Sequence, residues 1–182
     1  MNTYIALLRG INVSGQKIIK MEALKKAFES LDYKRVTTYI QSGNVVFGSA
    51  AANTSLLRTQ IQNTLLKTFG FEVPVSVRTL KEIEEIIKRN PFKKVKTHEG
   101  EKLYISFLSG KPTKAAEEDL ADVKNDVDEI RLLGYEVYIL CRKGYGNTLF
   151  SNTFIEKKLA VSATTRNWDT VQKLLTLGKA DR

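Results

Sequence analysis

The sequence predicts an α/β protein of the α+β kind, built as a tandem duplication of a ferredoxin-like β-α-β-β-α-β unit with extra helices. Three observations point there. Residues 4–8 and 103–108 are both continuously apolar, the character of strands covered on two faces. Each run leads through a turn into a helical pattern and then into a β-branched or alternating hairpin. A second helix and a further strand-like segment close both halves. The duplication rests on element order and not on residue identity, and it divides the chain into residues 1–78, a linking helix and basic segment at 79–102, and residues 103–182, which include a C-terminal helix.

The first strand ends at Arg9-Gly10 and a long loop follows to Ile19. Met21, Leu24, Phe28 and Leu31 then recur three and four apart, the stripe of a helix packed on that strand. Val36, Thr37, Thr38 and Ile40 precede a tip at Gln41-Ser42-Gly43-Asn44, and Val45-Val46-Phe47 follow it. Ser-Gly or Gly-Asn at such a tip supplies the positive φ of a tight two-residue turn. The second helix carries Leu57, Ile61 and Leu65 on one face and stops at Gly70. Pro74 marks the next strand, residues 72–78, as a sheet edge.

Thr79-x-x-Glu82 is a capping box opening a helix with Ile83, Ile86 and Ile87 inward, ended by Asn90-Pro91. In the second half a helix runs from Gly110-Lys111-Pro112 to about Lys124, and a hairpin turns at Gly134. Thr153 and Glu156 offer a second capping box, residues 161–164 supply the last strand, and the final helix starts near Asn167 and places Val171, Leu174 and Leu175 inward before Gly178. The two doubly apolar strands imply that the open face of each sheet is covered, by the other sheet or by a partner chain.

Composition narrows the function classes. With 42% hydrophobic and 27% charged residues the chain is an ordinary globular sequence, and no apolar run approaches the length of a membrane span. No basic region precedes the five apolar residues ahead of Arg9, so a cytoplasmic location is expected and no membrane partner. The lone Cys141 ends an apolar strand and reads as an inert buried thiol. The lone His98 lacks the second histidine or cysteine of a standard zinc site, so no metal is expected, and a serine–histidine triad is a poor fit. The net charge of +9 is uneven: residues 1–90 hold 13 Lys/Arg against 7 Asp/Glu. Such a field attracts anions, nucleic acid among them, but it is more often a solvated surface, and runs such as Lys93-Lys94-x-Lys96 read that way.

Three stretches carry polar groups that composition does not explain. Arg9, Asn12 and Lys17 lie in a glycine-containing loop between a strand end and a helix start, where backbone N–H groups and the helix dipole favour phosphate. The loop is not a P-loop, because Gln16 stands where the lysine belongs and Ile18 where Ser/Thr belongs. Gln41, Ser42 and Asn44 form the hairpin tip, although all three are also good turn residues. Thr165, Arg166, Asn167 and Trp168 again join a strand end to a helix N-terminus. An arginine there forks onto a carboxylate or phosphate, or pairs with a buried acid. No carboxylate pair is spaced for general acid and base work.

Arg9-Gly10-Ile11-Asn12-Val13, the run from Tyr39 through Gln41-Ser42-Gly43-Asn44 to Phe47, and Ala163-Thr164-Thr165-Arg166-Asn167-Trp168, in that order, resemble the uncharacterised bacterial family known as domain of unknown function 1697. The resemblance runs over about residues 3–177. It implies a cytosolic protein with duplicated ferredoxin-like halves, and no reaction, substrate or catalytic residue. Ser14 stands where a second glycine is common and Asp169 where asparagine is common, and neither is given a role.

The expected function is therefore the holding of a small anionic, phosphorylated ligand by Arg9, Asn12, Lys17, Gln41, Ser42, Asn44, Thr165 and Arg166 in a cleft where the three stretches converge. The alternatives are a nucleic-acid-binding module using the basic first half, and a partner-binding or assembly protein, a homo-oligomer included. No cofactor and no catalytic residue follow from the sequence.

Overall fold

The computed structural model describes residues 1–95 and 98–180. Lys96, part of the lysine run expected to be solvated, lies outside them. The described residues form two four-stranded antiparallel sheets and six α-helices. No helix among them is long and apolar enough to cross a membrane. The chain divides into two units, residues 1–85 with the segment from 172 onwards, and residues 86–171.

The first unit contains β1 (Asn2–Leu8), α1 (Met21–Glu29), β2 (Lys34–Tyr39), β3 (Asn44–Ser49), α2 (Thr54–Phe69) and β4 (Val75–Thr79). Its strand order β2-β3-β1-β4 is that of the ferredoxin-like fold. Central β1 explains the unbroken apolar run. Tyr4, Ala6 and Leu8 join Leu24, Phe28, Leu57, Ile61 and Leu65 in one core, while Ile5 and Leu7, on the alternate face, are also fully buried. Tyr4 sits opposite Phe47 in register, and the two rings stack with centroids 5.7 Å apart. Asn53 caps α2, accepting from the N–H groups of Ser55 and Leu56 at 2.9 and 3.1 Å, and Gly70 ends it at φ 78°. Pro74, expected inside the strand, instead immediately precedes β4, which begins at Val75 and is an edge strand. Leu31, expected in the stripe of α1, lies beyond its end and is only partly buried.

The expected two-residue turn between β2 and β3 is instead a four-residue loop. Tyr39 pairs with Asn44, leaving residues 40–43 between them, with Ile40 at φ 49° and Gly43 at φ 78°. Asn44 is the cause: its fully buried amide donates across the loop to the Tyr39 carbonyl (2.9 Å) and to Ser42 Oγ (3.0 Å). That side chain closes the loop, as a backbone pair would in a shorter turn.

The Thr79–Glu82 capping box opens α3 (Leu80–Lys88) as expected, Glu82 Oε2 accepting from Thr79 N at 2.7 Å and Thr79 Oγ1 from Glu82 N at 3.1 Å. The second unit repeats the element order with β5 (Lys102–Leu108), α4 (Lys114–Ala121), β6 (Glu129–Leu133), β7 (Glu136–Cys141), α5 (Asn152–Leu159) and β8 (Ala163–Asn167), in the sheet order β6-β7-β5-β8. Leu108, Leu120, Val137, Ile139, Phe150, Ile155 and Leu159 form its core. Cys141 is fully buried, and burial pushes its thiol up to about 11.

The capping box expected at Thr153 and Glu156 does not form. Ser151 Oγ accepts from Phe154 N (3.3 Å) and caps α5, while Glu156 accepts from Ala163 N (2.8 Å) and ties the helix to β8. Asn167 Oδ1 accepts from Thr170 N (2.8 Å) at the start of α6 (Trp168–Ala180). Gly178 does not stop this helix. It lies inside it, where a Cβ would fall 2.4 Å from Leu80 Cδ1, so the glycine makes room for a neighbour.

Candidate functional site

The loop between β1 and α1 folds back on itself. Val13 and Gln16 form a bridge across Ser14 and Gly15, at φ 50° and 73°, the double positive φ of a type I′ turn. Asn12 N donates to the Lys17 carbonyl (3.2 Å) and closes the base of this small arm. Asn12 itself is left-handed at φ 55°, and so is Lys17 at φ 46°.

The Asn12 carboxamide joins three segments. Its Oδ1 accepts from Ile19 N (2.8 Å), and its Nδ2 donates to the Ile19 carbonyl (3.0 Å) and to the Gln41 carbonyl (2.8 Å). The first two bonds hold the residue that leads into α1, and the third holds the hairpin tip. Gly43 completes the contact: its carbonyl accepts from Leu8 N (2.8 Å), and a Cβ there would fall 2.7 Å from Ile11 Cδ1 and 2.8 Å from Leu8 Cβ. The first two of the three predicted stretches are therefore brought together in one unit, and the N-terminus of α1 lies against them.

Within this junction the side chains differ in kind. Asn12 and Asn44 have their amides engaged by the backbone and shape the site. Gln41 and Ser42 are exposed, and Arg9 is half-buried at the end of β1, its backbone N–H donating to the Pro74 carbonyl (2.9 Å). Exposed Lys17 donates from Nζ to the Glu72 carbonyl (2.7 Å), with its ammonium 5.8 Å from the Phe71 ring centre. That carbonyl accepts one of three ammonium protons.

Lys20 is a neighbour of the site that no sequence motif singled out. It occupies the N-cap of α1 with φ −69° and ψ 137°, and its side chain makes no capping hydrogen bond. The signal was present: Ile18-Ile19-Lys20 holds none of the Ser, Thr, Asp or Asn that cap α2, α4 and α5. Residues 9–20 thus carry Arg9, Lys17 and Lys20 and no acid, beside a helix end whose first N–H groups have no side-chain acceptor among the described residues.

Thr165 and Arg166 belong to the second unit. Arg166 lies buried in β8, where its Nη1 donates to the Thr165 carbonyl (2.9 Å) and burial pushes the guanidinium down to about 10. The Thr165 hydroxyl donates to Asn152 Oδ1 (2.6 Å) and is also hydrogen-bonded to Ser106 Oγ. Trp168 and Asp169, with Asn90, Phe92 and Glu101, line a groove of about 340 Å³ in the same unit.

A solved structure of a conserved bacterial protein from Streptococcus pneumoniae is similar to the chain, with a TM-score of 0.78 and 19% identity, over 97% of this chain and 98% of that one. At this identity the likeness shows the fold. No curated protein matches the sequence. The family model described as "Protein of unknown function (DUF1697)" matches residues 1–138, more than half the chain, and the arm, hairpin tip and strand order of the first unit all fall within that span. The chain belongs to this family.

Proposed function

We propose that the first unit holds a small anionic, phosphorylated molecule where the 10–20 arm, the hairpin tip and the N-terminus of α1 meet. The observation that carries the reading is the Asn12 carboxamide, which fixes Ile19 and Gln41 to one another (2.8–3.0 Å) and so fixes an uncapped helix start beside a polar tip. A phosphate at such a helix end accepts backbone N–H bonds and meets the positive end of the dipole. Lys17 and Lys20 supply charge, and Gln41 and Ser42 supply hydrogen bonds to the non-phosphate part. Arg9 reinforces the field from the end of β1, while Asn12 and Asn44 act by holding shape. Backbone strain supports the same place: Asn12, Ser14, Lys17 and Ile40 are four of the seven non-glycine residues at positive φ among the described residues, and for β-branched Ile40 that conformation is costly. The proposal uses neither Thr165 nor Arg166.

A thermal-shift screen tests it, with nucleotides, sugar phosphates and phosphorylated coenzymes each set beside the unphosphorylated compound. A ligand at a hundred times its Kd adds about 2.7 kcal/mol, a rise of several degrees for a chain of this size. The expected result is stabilisation by a phosphorylated compound and not by its counterpart, lost in Lys17→Ala/Lys20→Ala. Stabilisation that persists in the double variant, or that comes from single-stranded oligonucleotides and no small phosphate, contradicts it.

A further inference from the structure

We propose that the free edge of β6 accepts an extended basic peptide as a fifth strand, seated in a groove between β6 and α4. The proposal concerns the second unit and is independent of the anion site in the first.

The order β6-β7-β5-β8 leaves β6 at an edge, and its outward groups follow from the register. Leu108 N donates to the Tyr135 carbonyl (2.9 Å), so the Tyr135 peptide groups face β5, and those of the next residue, Glu136, face β6. Glu136 is paired with Leu133. Leu133, Arg131 and Glu129 therefore bond to β7, and the N–H and C=O groups of Ile130 and Leu132 point away from the sheet. Arg131 Nη1 donates to the Ile130 carbonyl (2.7 Å), the contact expected of an outward carbonyl that still has a second lone pair.

Two other edges in this chain, β2 and β4, are blunted. The β2 register is interrupted between Lys34 and Thr37, and Pro74 guards the start of β4. The β6 edge pairs without a break through its five residues and contains no proline.

Alongside it runs a cavity of about 430 Å³, with Leu120, Val123 and Phe150 among its apolar lining and Ile130 and Leu132 on the strand side. The side chains of Ile130 and Leu132 pack on the core of the unit, which places them on the groove face of the strand. An antiparallel strand laid along β6 puts the residues opposite Ile130 and Leu132 on that face, with their N–H groups aimed at β6 and their side chains in the groove.

Charge selects the occupant. Residues 117–129 contain seven Asp/Glu and one Lys. Glu129 is paired with Arg142 and Glu118 with Lys114, but Asp119, Asp122 and Asp126 are exposed beside the lining residues. The net negative field of this surround favours a strand of net positive charge whose apolar side chains turn into the groove. A second copy of the chain would instead bring its own acid-rich edge against this one.

The test uses the full chain and a synthetic peptide of alternating valine and lysine, about eight residues long and blocked at both ends. Two versions are compared with it, one methylated on the valine backbone nitrogens and one on the lysine nitrogens. Valines seated in the groove direct their N–H groups at β6, and lysines direct theirs away. Fluorescence anisotropy should show binding by the unmodified and lysine-methylated peptides, and at least about tenfold weaker binding after valine methylation. A valine–glutamate peptide should be weaker by a similar factor, and amide exchange should slow at Ile130 and Leu132. Leu132→Pro removes an outward N–H where an edge strand tolerates proline, and should weaken binding with folding checked by circular dichroism. Equal binding by the two methylated peptides, protection of amides away from β6, no binding by the valine–lysine peptide, or a dimer in solution that occupies the β6 edge would each overturn the proposal.

Discussion

Asn12 contributes to stability through both its side chain and its backbone, and substitution separates the two. Asn12→Gly keeps the φ of 55° and loses the three carboxamide bonds, whereas Asn12→Ala loses the bonds and adds left-handed strain. Urea unfolding should show alanine costing about 2–4 kcal/mol, and glycine about 1 kcal/mol less. Equal costs would mean that the backbone conformation contributes nothing. The sequence pointed to Asn12 as a ligand contact, and its structural role was hidden because the Gln41 carbonyl is 29 residues away. No local pattern encodes such a bond.

Titration gives a second prediction at this scale. Burial pushes Tyr33 and Tyr138 from 10.0 up to about 12, and Cys141 from 9.0 up to about 11. Each loses its proton more readily in the unfolded chain, so the stability these groups contribute is whole below pH 9 and is lost as the pH rises through 9–12. Arg166 acts in the opposite sense above about pH 10, where the unfolded chain binds its proton more tightly. Urea midpoints should therefore begin to fall between pH 9 and 10, before Arg166 titrates, and Tyr138→Phe should flatten the later part of the fall. A midpoint that rises from pH 9 to 10, or an unchanged later slope in the variant, contradicts this.

At the scale of elements, the β2–β3 hairpin is held to the arm by Gly43. Its φ of 78°, with Ile11 Cδ1 and Leu8 Cβ only 2.7 and 2.8 Å from where a Cβ would lie, leaves alanine no relaxed position. Gly43→Ala should cost about 2–4 kcal/mol by chemical denaturation and shift amide resonances in the 10–19 arm as Ile11 moves. A cost below about 0.5 kcal/mol, within the range of an ordinary surface change, would show that the tip is not pinned. The same hairpin marks a limit of sequence reading. Its strands were legible from β-branched residues, but loop length was decided by the buried Asn44 side chain, which no turn rule for Ser-Gly or Gly-Asn includes. The capping boxes make a similar contrast. Thr79–Glu82 formed because both partners are local and unopposed. In the second pattern Ser151 caps first and Glu156 meets Ala163 once β8 folds back, a partner set by tertiary structure.

For the molecule as a whole, the duplicated β-α-β-β-α-β order was readable because strand and helix periodicities are local, and both sheet orders follow the ferredoxin-like pattern. What the sequence withheld depends on that order. Only once β6 is known to be an edge is its groove seen as open, and the Asn12–Gln41 bond joins the arm to the hairpin. The junction in the first unit is proposed to hold a phosphorylated ligand. The most direct test of that proposal is an amide chemical-shift map of the protein, titrated with whichever phosphorylated compound stabilises it most in the thermal screen. Perturbations concentrated in residues 9–23 and 40–43, and abolished in Lys17→Ala/Lys20→Ala, are the predicted result. Saturable perturbations centred elsewhere, with these residues unmoved, would contradict it.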